Sequence, residues 1–528
     1  MADISKIKIE SGIYDIKDEI AREKLKKLEK CVKYFDTVAE LKNATNLFNG
    51  DFVMTKGYYS ANDGGAGKYL ITNVDNTANE MDKLTLQNQL FATLIIEVPL
   101  NIKQVGAKGD GVQDDTAFIN RALYATSSIY VPSGTYLVTD TISFENKNIY
   151  GDNHTHCMIK GVITDSKKPI LAVGGESTIE NISAGYDKSI VTTSLTDKVV
   201  VRLYGGYRDL VFQKGTIRNC QFVNCGTAIT DGGKSVFSAT FDTIVIKNIG
   251  RYGVYMTSTA RTGNIYSNIY ISNIDLVSKG NLDPVQIVAG FYLEGEESET
   301  TIEQLNVEHL TAWQAIYLKN VHGLFASTIH LEGVMSRQTY FPFVQIEATY
   351  GVIQNISFYY TRHLNGQSLI RLGATQSGNT TTNFYGGEKV LTIENLECKG
   401  LNRPDRNIFG YEPAYPVANS TISSNSSTTG FSFITRETAN DKYKVKLNSY
   451  NWQTFSYEWN DSEQYKAFKN NLHGSIEWLN LGAHSRYYTT ANRPTSMQFT
   501  GMEIFDTTLK KPIYWDGSKW VDSTGKAV

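Results

Sequence analysis

Two glutamates, Glu308 and Glu332, stand 24 residues apart, and His330 falls two places before the second. The apolar residues around them recur at a similar interval. The recurrence is carried by apolar-polar-apolar triplets: Ile182-Ser-Ala, Cys220-Gln-Phe, Ile244-Val-Ile, Ile269-Tyr-Ile, Leu305-Asn-Val, Ile329-His-Leu, Ile356-Ser-Phe and Leu396-Glu-Cys. Steps of 24 or 25 residues (220 to 244, 244 to 269, 305 to 329) stand among longer ones that read as loop insertions. A period in this range marks a solenoid in which every coil adds one strand to each sheet. The residue after each triplet then points outward and forms a column: Lys247, Ser272, Glu308, Glu332, Tyr359. The middle residues form a second column: Tyr270, Asn306, His330, Ser357.

Neighbouring strands lie about 4.8 Å apart, so Glu308 and Glu332 become neighbours with His330 alongside and Trp313 and Arg337 just beyond. Two carboxylates about 5 Å apart have the spacing of a retaining glycosidase pair, in which mutual repulsion raises one of them enough to act as general acid. Tyr270, Trp313 and Tyr317 supply aromatic surface for a sugar, and Arg337 a fork for an acidic one. The same positions have a plainer reading. Outward places on a solenoid are solvated, glutamate is common there, and His330 can offset stacked like charges without any catalysis. The sequence leaves both open.

What must hold this column is a long β-rich chain. Its 528 residues include 32 Tyr and 43 Gly, which suits many strands and turns. A net charge of −3 implies no polyanionic partner, so nucleic acid is not expected. Cys31, Cys157, Cys220, Cys225 and Cys398 lack disulfide or metal spacing and read as reduced thiols of a protein folded in a cytosol. Cys220, Cys225 and Cys398 fall on or near the triplets, as rung residues with no catalytic part. The opening MADISKIKIESG has no hydrophobic signal core, and no run approaches a membrane span. The acidic run Glu294-Gly-Glu296-Glu297-Ser-Glu299 reads as a solvated loop, or as a lining of the same groove.

The most specific stretch is Asn101–Asn153. Gly106-Ala107-Lys108-Gly109-Asp110-Gly111 is followed by Asp114-Asp115-Thr116, by Ile129-Tyr-Val-Pro132-Ser133-Gly134-Thr-Tyr136, and by Ile149-Tyr150-Gly151. The glycines permit a tight loop, and Asp114 or Asp115 caps a helix whose apolar stripe is Phe118, Ala122 and Leu123. Ile129–Val131 and Tyr136–Val138 read as strands of a hairpin closed by Pro132-Ser133-Gly134. This order of landmarks resembles the opening module of the pectate-lyase-like superfamily. The resemblance implies a right-handed parallel β-helix.

The two ends carry further resemblances. Ile7, Ile9, Ile13 and Ile16 alternate around Ser11-Gly12 as a small hairpin. A helix follows from about Lys17 to Tyr34, with Ala21, Leu25, Leu28, Val32 and Phe35 on a short heptad seam, or on a face packed within its own domain. This opening looks like the leader of tail proteins from bacteriophages and prophages. Thr37–Thr72, a helix capped by Thr37 and strands around Gly64–Gly67, resembles the module that precedes the β-helix in phage tail spikes. Thr500–Val528 resembles a terminal hairpin of tail fibres and spikes, with Asp516-Gly517 as its turn and Trp515 facing Trp520. The polar stretch Asn419–Gly430 reads as a linker or exposed loop.

The resulting expectation is a mainly β chain, a right-handed parallel β-helix with a short N-terminal hairpin and helix and a C-terminal β domain, assembled as a homotrimer. Its domains are 1–36 (virion attachment), 37–100 (an α+β module), 101–400 (the β-helix), 401–499 (a β domain) and 500–528 (a terminal hairpin). By resemblance it is a tail spike of a phage or prophage. It is made in the host cytoplasm, joins other tail proteins through residues 1–36, and binds a bacterial surface polysaccharide. Glu308, Glu332 and His330 are the candidate catalytic residues, and Tyr270, Trp313, Tyr317 and Arg337 the sugar contacts. No metal, cofactor, nucleic acid or membrane insertion is expected. Two alternatives stand: a depolymerase, hydrolase or lyase, on the same scaffold, and a purely structural tail component.

Overall fold

The computed structural model describes residues 6–9, 12–15, 32–73, 78–187, 198–204, 211–258, 260–273, 287–336, 343–347, 349–359, 368–373, 389–399, 432–436, 443–449, 455–459, 487–493 and 503–528. The chain divides into two compact units. One comprises Met1–Val138 with Lys147–Met158, the other Thr139–Asn146 with Ile159–Val528.

In the first unit, Lys6–Ile9 and Gly12–Asp15 pair antiparallel as the alternating isoleucines predict. The predicted helix falls largely on residues 16–31, outside the described residues. Its expected end does not hold, because Lys33–Phe35 is a strand paired in parallel with Phe52–Thr55. That strand opens a five-stranded sheet completed by Lys68–Thr72, Phe91–Leu94 and Lys83–Thr85. Val53, Tyr69, Ala92 and Leu94 are buried on its inner face. The Thr37 hydroxyl caps the helix Val38–Asn43, accepting from the Glu40 amide.

The helix Thr116–Ala125 buries Ile119, Ala122 and Leu123. Asp115 precedes it but does not cap it. Its buried carboxylate accepts instead from the amides of Lys108 (2.8 Å) and Gly109 (3.0 Å), pinning the glycine loop. Gly109 sits at φ +68°, and a Cβ there would lie 2.7 Å from the Tyr136 ring, so the loop requires glycine. Nor do the next two strands form the expected hairpin. Ser128–Val131 pairs in parallel with Asn148–Gly151 and Leu100–Asn101, while Gly134–Val138 pairs in parallel with Asp110–Asp114. Pro132-Ser133 therefore turns a corner between two parallel ladders.

The second unit is built of coils. The strand Thr216–Thr230 pairs in parallel with Thr178–Glu180, then Ser183–Tyr186, then Val199–Arg202, so one coil contributes to three sheets. The triplet alignment is the observed register. Cys220, Ile244, Ile269, Leu305, Ile329, Ile356 and Leu396 stand opposite one another in succession. From Cys220 to Ile356 none is more than 1% exposed, so each coil covers the core of the next.

Corners use residues that tolerate positive φ: Asn181, Asn219 and Asn268 between the first and second sheets, Asn224 and Asn248 between the second and third. The side chain of Asn248 donates to the Asn224 side-chain carbonyl oxygen (3.0 Å), linking the two corner positions. Cys220 and Cys225 are buried, and burial pushes the Cys220 thiol up to about 12, which fits inert rung residues. The Cys398 backbone lies opposite Phe358, and Cys31 is outside the described residues.

Parallel pairing continues past residue 400, where a new domain was expected. Ser432–Arg436 pairs with Ser368–Gly373, and Tyr443–Ser449 with Lys389–Lys399. The polar stretch 419–430 lies outside the described residues. Near the C-terminus, Lys511–Trp515 and Trp520–Val521 form the predicted hairpin, with the Trp515 and Trp520 rings 5.4 Å apart at 65°. Ile504, Ile513 and Trp520 form its small core.

Candidate functional site

The second sheet of the solenoid carries the two predicted columns. Ser272, Glu308, Glu332 and Tyr359 stand opposite one another on successive strands, as do Tyr270, Asn306, His330 and Ser357. Each glutamate has a donor drawn from the other column. The Tyr270 hydroxyl donates to Glu308 Oε2 at 2.9 Å. His330 Nε2 lies 3.4 Å from Glu332 Oε2, and its Nδ1 lies 2.8 Å from the Ser357 hydroxyl. The ring rests 5.1 Å from that of Tyr359. Burial, reinforced by Glu308, holds the Tyr270 phenol above its ordinary pKa, so it remains a donor at neutral pH.

This arrangement offers two carboxylates and an imidazole on one half-buried face. Such groups can protonate a leaving oxygen and activate water or act as nucleophile. One oxygen or nitrogen from each of Glu308, His330 and Glu332 also lies within 4.8 Å of the others, so the three could converge on a divalent cation. Spacing along the chain cannot reveal that set, because its members come from two coils.

The remaining sugar contacts divide. Trp313 is 38% exposed, in the turn between Thr311–Ala312 and the strand Gln314–Glu332, where the coil passes from the second sheet to the third. Tyr317 does not join the site. It lies on the third sheet, is only 8% exposed, and its ring stacks on Tyr292 at 4.5 Å. Arg337 lies outside the described residues. The acidic run is corrected too: Ala289–Ser298 is a strand, not a loop. Burial alone would raise the Glu294 carboxyl, but bonds from Lys319 (2.7 Å) and the Tyr292 hydroxyl outweigh it and hold it below its ordinary range.

A second set of triplets escaped the sequence reading. Val254-Tyr-Met256, Phe291-Tyr-Leu293 and Ile316-Tyr-Leu318 repeat the apolar-polar-apolar pattern with tyrosine at the centre each time. They form the outward column Tyr255, Tyr292, Tyr317, Gln345 on the third sheet.

With this geometry established, comparison with known proteins agrees on the architecture. Residues 100–277 match the family described as rhamnogalacturonase A/epimerase, pectate lyase-like. The tailspike gp42 of an Acinetobacter phage has a similar structure, with a TM-score of 0.54 at 12% identity over 82% of this chain and 76% of that one. The family match applies to residues 100–277, and the likeness to the tailspike shows the parallel β-helix fold. Among curated sequences, the preneck appendage protein of Bacillus phage PZA is 28% identical over 167 residues. A non-secreted LysM effector of Penicillium expansum is 35% identical over 92 residues. The chain spans only 19% and 7% of the lengths of these two relatives.

Proposed function

We propose that this chain is a phage or prophage tail spike that binds a bacterial surface polysaccharide on the second sheet of its β-helix. The observation that carries the reading is the Glu308–Glu332 pair on adjacent coils, flanked by Tyr270 and His330. A face that only required solvation would gain nothing from stacking like charges. Sequence similarity to a phage appendage protein and a tailspike fold support the setting. In this reading residues 1–36 attach to the virion and residues 101–400 face the host. Three copies assemble as a trimer, whose repeated weak glycan sites gain avidity.

The same pair favours a second reading, in which the spike cleaves the glycan it binds. Glu308 and Glu332 would then act as acid and nucleophile, with His330 orienting Glu332. The test is to incubate the purified protein with surface polysaccharides from candidate hosts and follow chain length and new reducing ends. Shortened chains that vanish with Glu308→Gln or Glu332→Gln would establish a depolymerase at this site. Shortening that survives both changes would place the chemistry elsewhere. Intact polysaccharide that co-migrates with the protein leaves a binding spike, and absence of both effects leaves a structural tail component.

A further inference from the structure

Tyr255, Tyr292, Tyr317 and Gln345 follow one another outward along the third sheet, one coil at a time. Tyr252 stacks on Tyr255 with ring centroids 4.0 Å apart, Tyr255 meets Tyr292 at 5.2 Å, and Tyr292 stacks on Tyr317 at 4.5 Å. The outer pairs, Tyr252–Tyr255 and Tyr292–Tyr317, cover one face of each of their rings, while Tyr255 and Tyr292 meet at a tilt of 50°, so the ladder presents phenol edges and hydroxyls along with part of those two rings. Tyr252 and Tyr317 are nearly buried and act as supports, while Tyr255 and Tyr292 are half exposed.

A parallel line of polar groups runs beside the rings. Glu294 stands opposite Lys319, which donates to it at 2.7 Å, and Glu294 also accepts from the Tyr292 hydroxyl. Arg251 lies 5.6 Å from the Tyr252 ring centre, and the Gln314 amide donates to Gln345. The face thus offers hydroxyl, carboxylate, ammonium and amide groups repeated at about one strand spacing, near 4.8 Å. None belongs to the Glu308–Glu332 site, which sits on the preceding sheet of each coil.

From this geometry we infer that the tyrosine face of the third sheet is a second glycan-binding track, taking a linear polysaccharide laid along the solenoid axis. It rests on the reading of this chain as a glycan-binding spike. A linear glycan fits because its hydroxyls both donate and accept at regular intervals, and this face supplies both kinds of partner in the same rhythm. A nucleic acid does not fit, since an ionised Glu294 sits at the centre of the track and the chain as a whole is acidic. An added peptide strand does not fit either, because the backbone groups of these strands are already paired on both sides. Trp313, on the turn between the two sheets, is placed to touch a chain leaving either face.

The test uses the full-length protein and an array of purified bacterial surface polysaccharides, with affinity for the strongest hit then measured by calorimetry. Tyr255→Phe combined with Tyr292→Phe keeps the ring stack and removes two hydroxyls, and Lys319→Met removes the cation. Each variant is expected to bind about tenfold more weakly or worse, with an unchanged far-ultraviolet spectrum. Hydrogen exchange of wild-type protein offers a measurement that needs no variant. Added polysaccharide should slow exchange at Ala289–Ser298 and around Tyr317. Protection confined to Thr301–Glu308 and residues 329–332, with full affinity in both variants, would overturn the track and leave the Glu308–Glu332 site standing. Wild-type protein that binds nothing on the array would overturn the track together with the function it rests on.

Discussion

Glu308 and Glu332 occupy the same outward place on consecutive coils of one parallel ladder. Each is met by a donor from the neighbouring column, Glu308 by Tyr270 and Glu332 by His330. The fold tolerates this contact more than it needs it. Like charges directly opposite in a sheet are destabilising. Glu308→Gln is therefore expected to raise the melting temperature slightly while weakening polysaccharide binding or ending cleavage. Differential scanning calorimetry beside a binding assay checks both halves. A fall in stability with unchanged polysaccharide handling would make the pair an ordinary part of the sheet.

The His330 side chain bridges Glu332 and Ser357 through its two ring nitrogens. His330→Ala should weaken polysaccharide binding or cleavage more than it lowers the melting temperature. His330→Gln, which can still bridge, should retain more binding than His330→Ala. Binding isotherms of the two variants separate this bridging role from packing against Tyr359, whose loss would weaken both variants alike.

The same three side chains can converge on a cation, so the choice between proton chemistry and metal chemistry can be made directly. Activity or binding is expected to survive extensive dialysis against EDTA, with the glutamates acting as acid, base or hydrogen-bond partners. A loss restored by Mn2+ or Zn2+ in wild-type protein, but not in Glu332→Gln, would reassign them as ligands.

The register of the second sheet was legible because every coil must bury an apolar residue at the same place. Cys220, Ile244, Ile269 and Leu305 therefore announce themselves. The corners were less legible. Tyr317 was placed with Glu308 because the turn through His309 to Trp313, which carries the chain to another sheet, has no strong marker beyond the positive φ of His309. Pro132-Ser133-Gly134 looked like a hairpin because the residues that close a hairpin also turn a corner between parallel ladders. The acidic run around Glu294 resembles a loop by its charge, although the Phe291-Tyr-Leu293 pattern beside it marks the strand it forms. The carboxylates were found one by one, but their pairing with Tyr270 and His330 depended on a register that only alignment across coils supplies.

Asp231 and Arg261 form an ion pair with both side chains fully buried. Asp231 also accepts from the amides of Thr257 and Ser258, and Arg261 donates to the carbonyls of Ser258 and Glu294. The pair thus knots the turn after Met256 to the strand that carries Tyr292. Asp231→Ala strands a buried guanidinium and should cost about 3–5 kcal/mol. Replacing both with apolar residues of similar size should cost less. Urea unfolding of the single and double variants gives the comparison. If the damage reaches the tyrosine face, binding there should fall in step with stability, whereas Tyr292→Phe should lower binding alone.

Acid should loosen the N-terminal unit through Asp82. Burial by itself would raise this carboxyl, but the Arg121 fork, with a second bond at 2.8 Å, and the Asn79 amide outweigh it. Its folded pKa therefore lies below the ordinary 3.8. A depressed carboxyl contributes stability that is present above 3.8 and lost as pH falls through the folded value. Asp115 works in the opposite sense, since burial raises it and its contribution weakens as pH rises above 3.8. In Asp82→Asn the acid limb of the stability curve should flatten below pH 4, and stability at pH 7 should fall because Arg121 loses its partner. Thermal melts from pH 2.5 to 7 follow both effects. An unchanged acid limb in the variant would mean that Asp82 titrates alike in the folded and unfolded chain, and that the Arg121 fork contributes geometry without charge coupling.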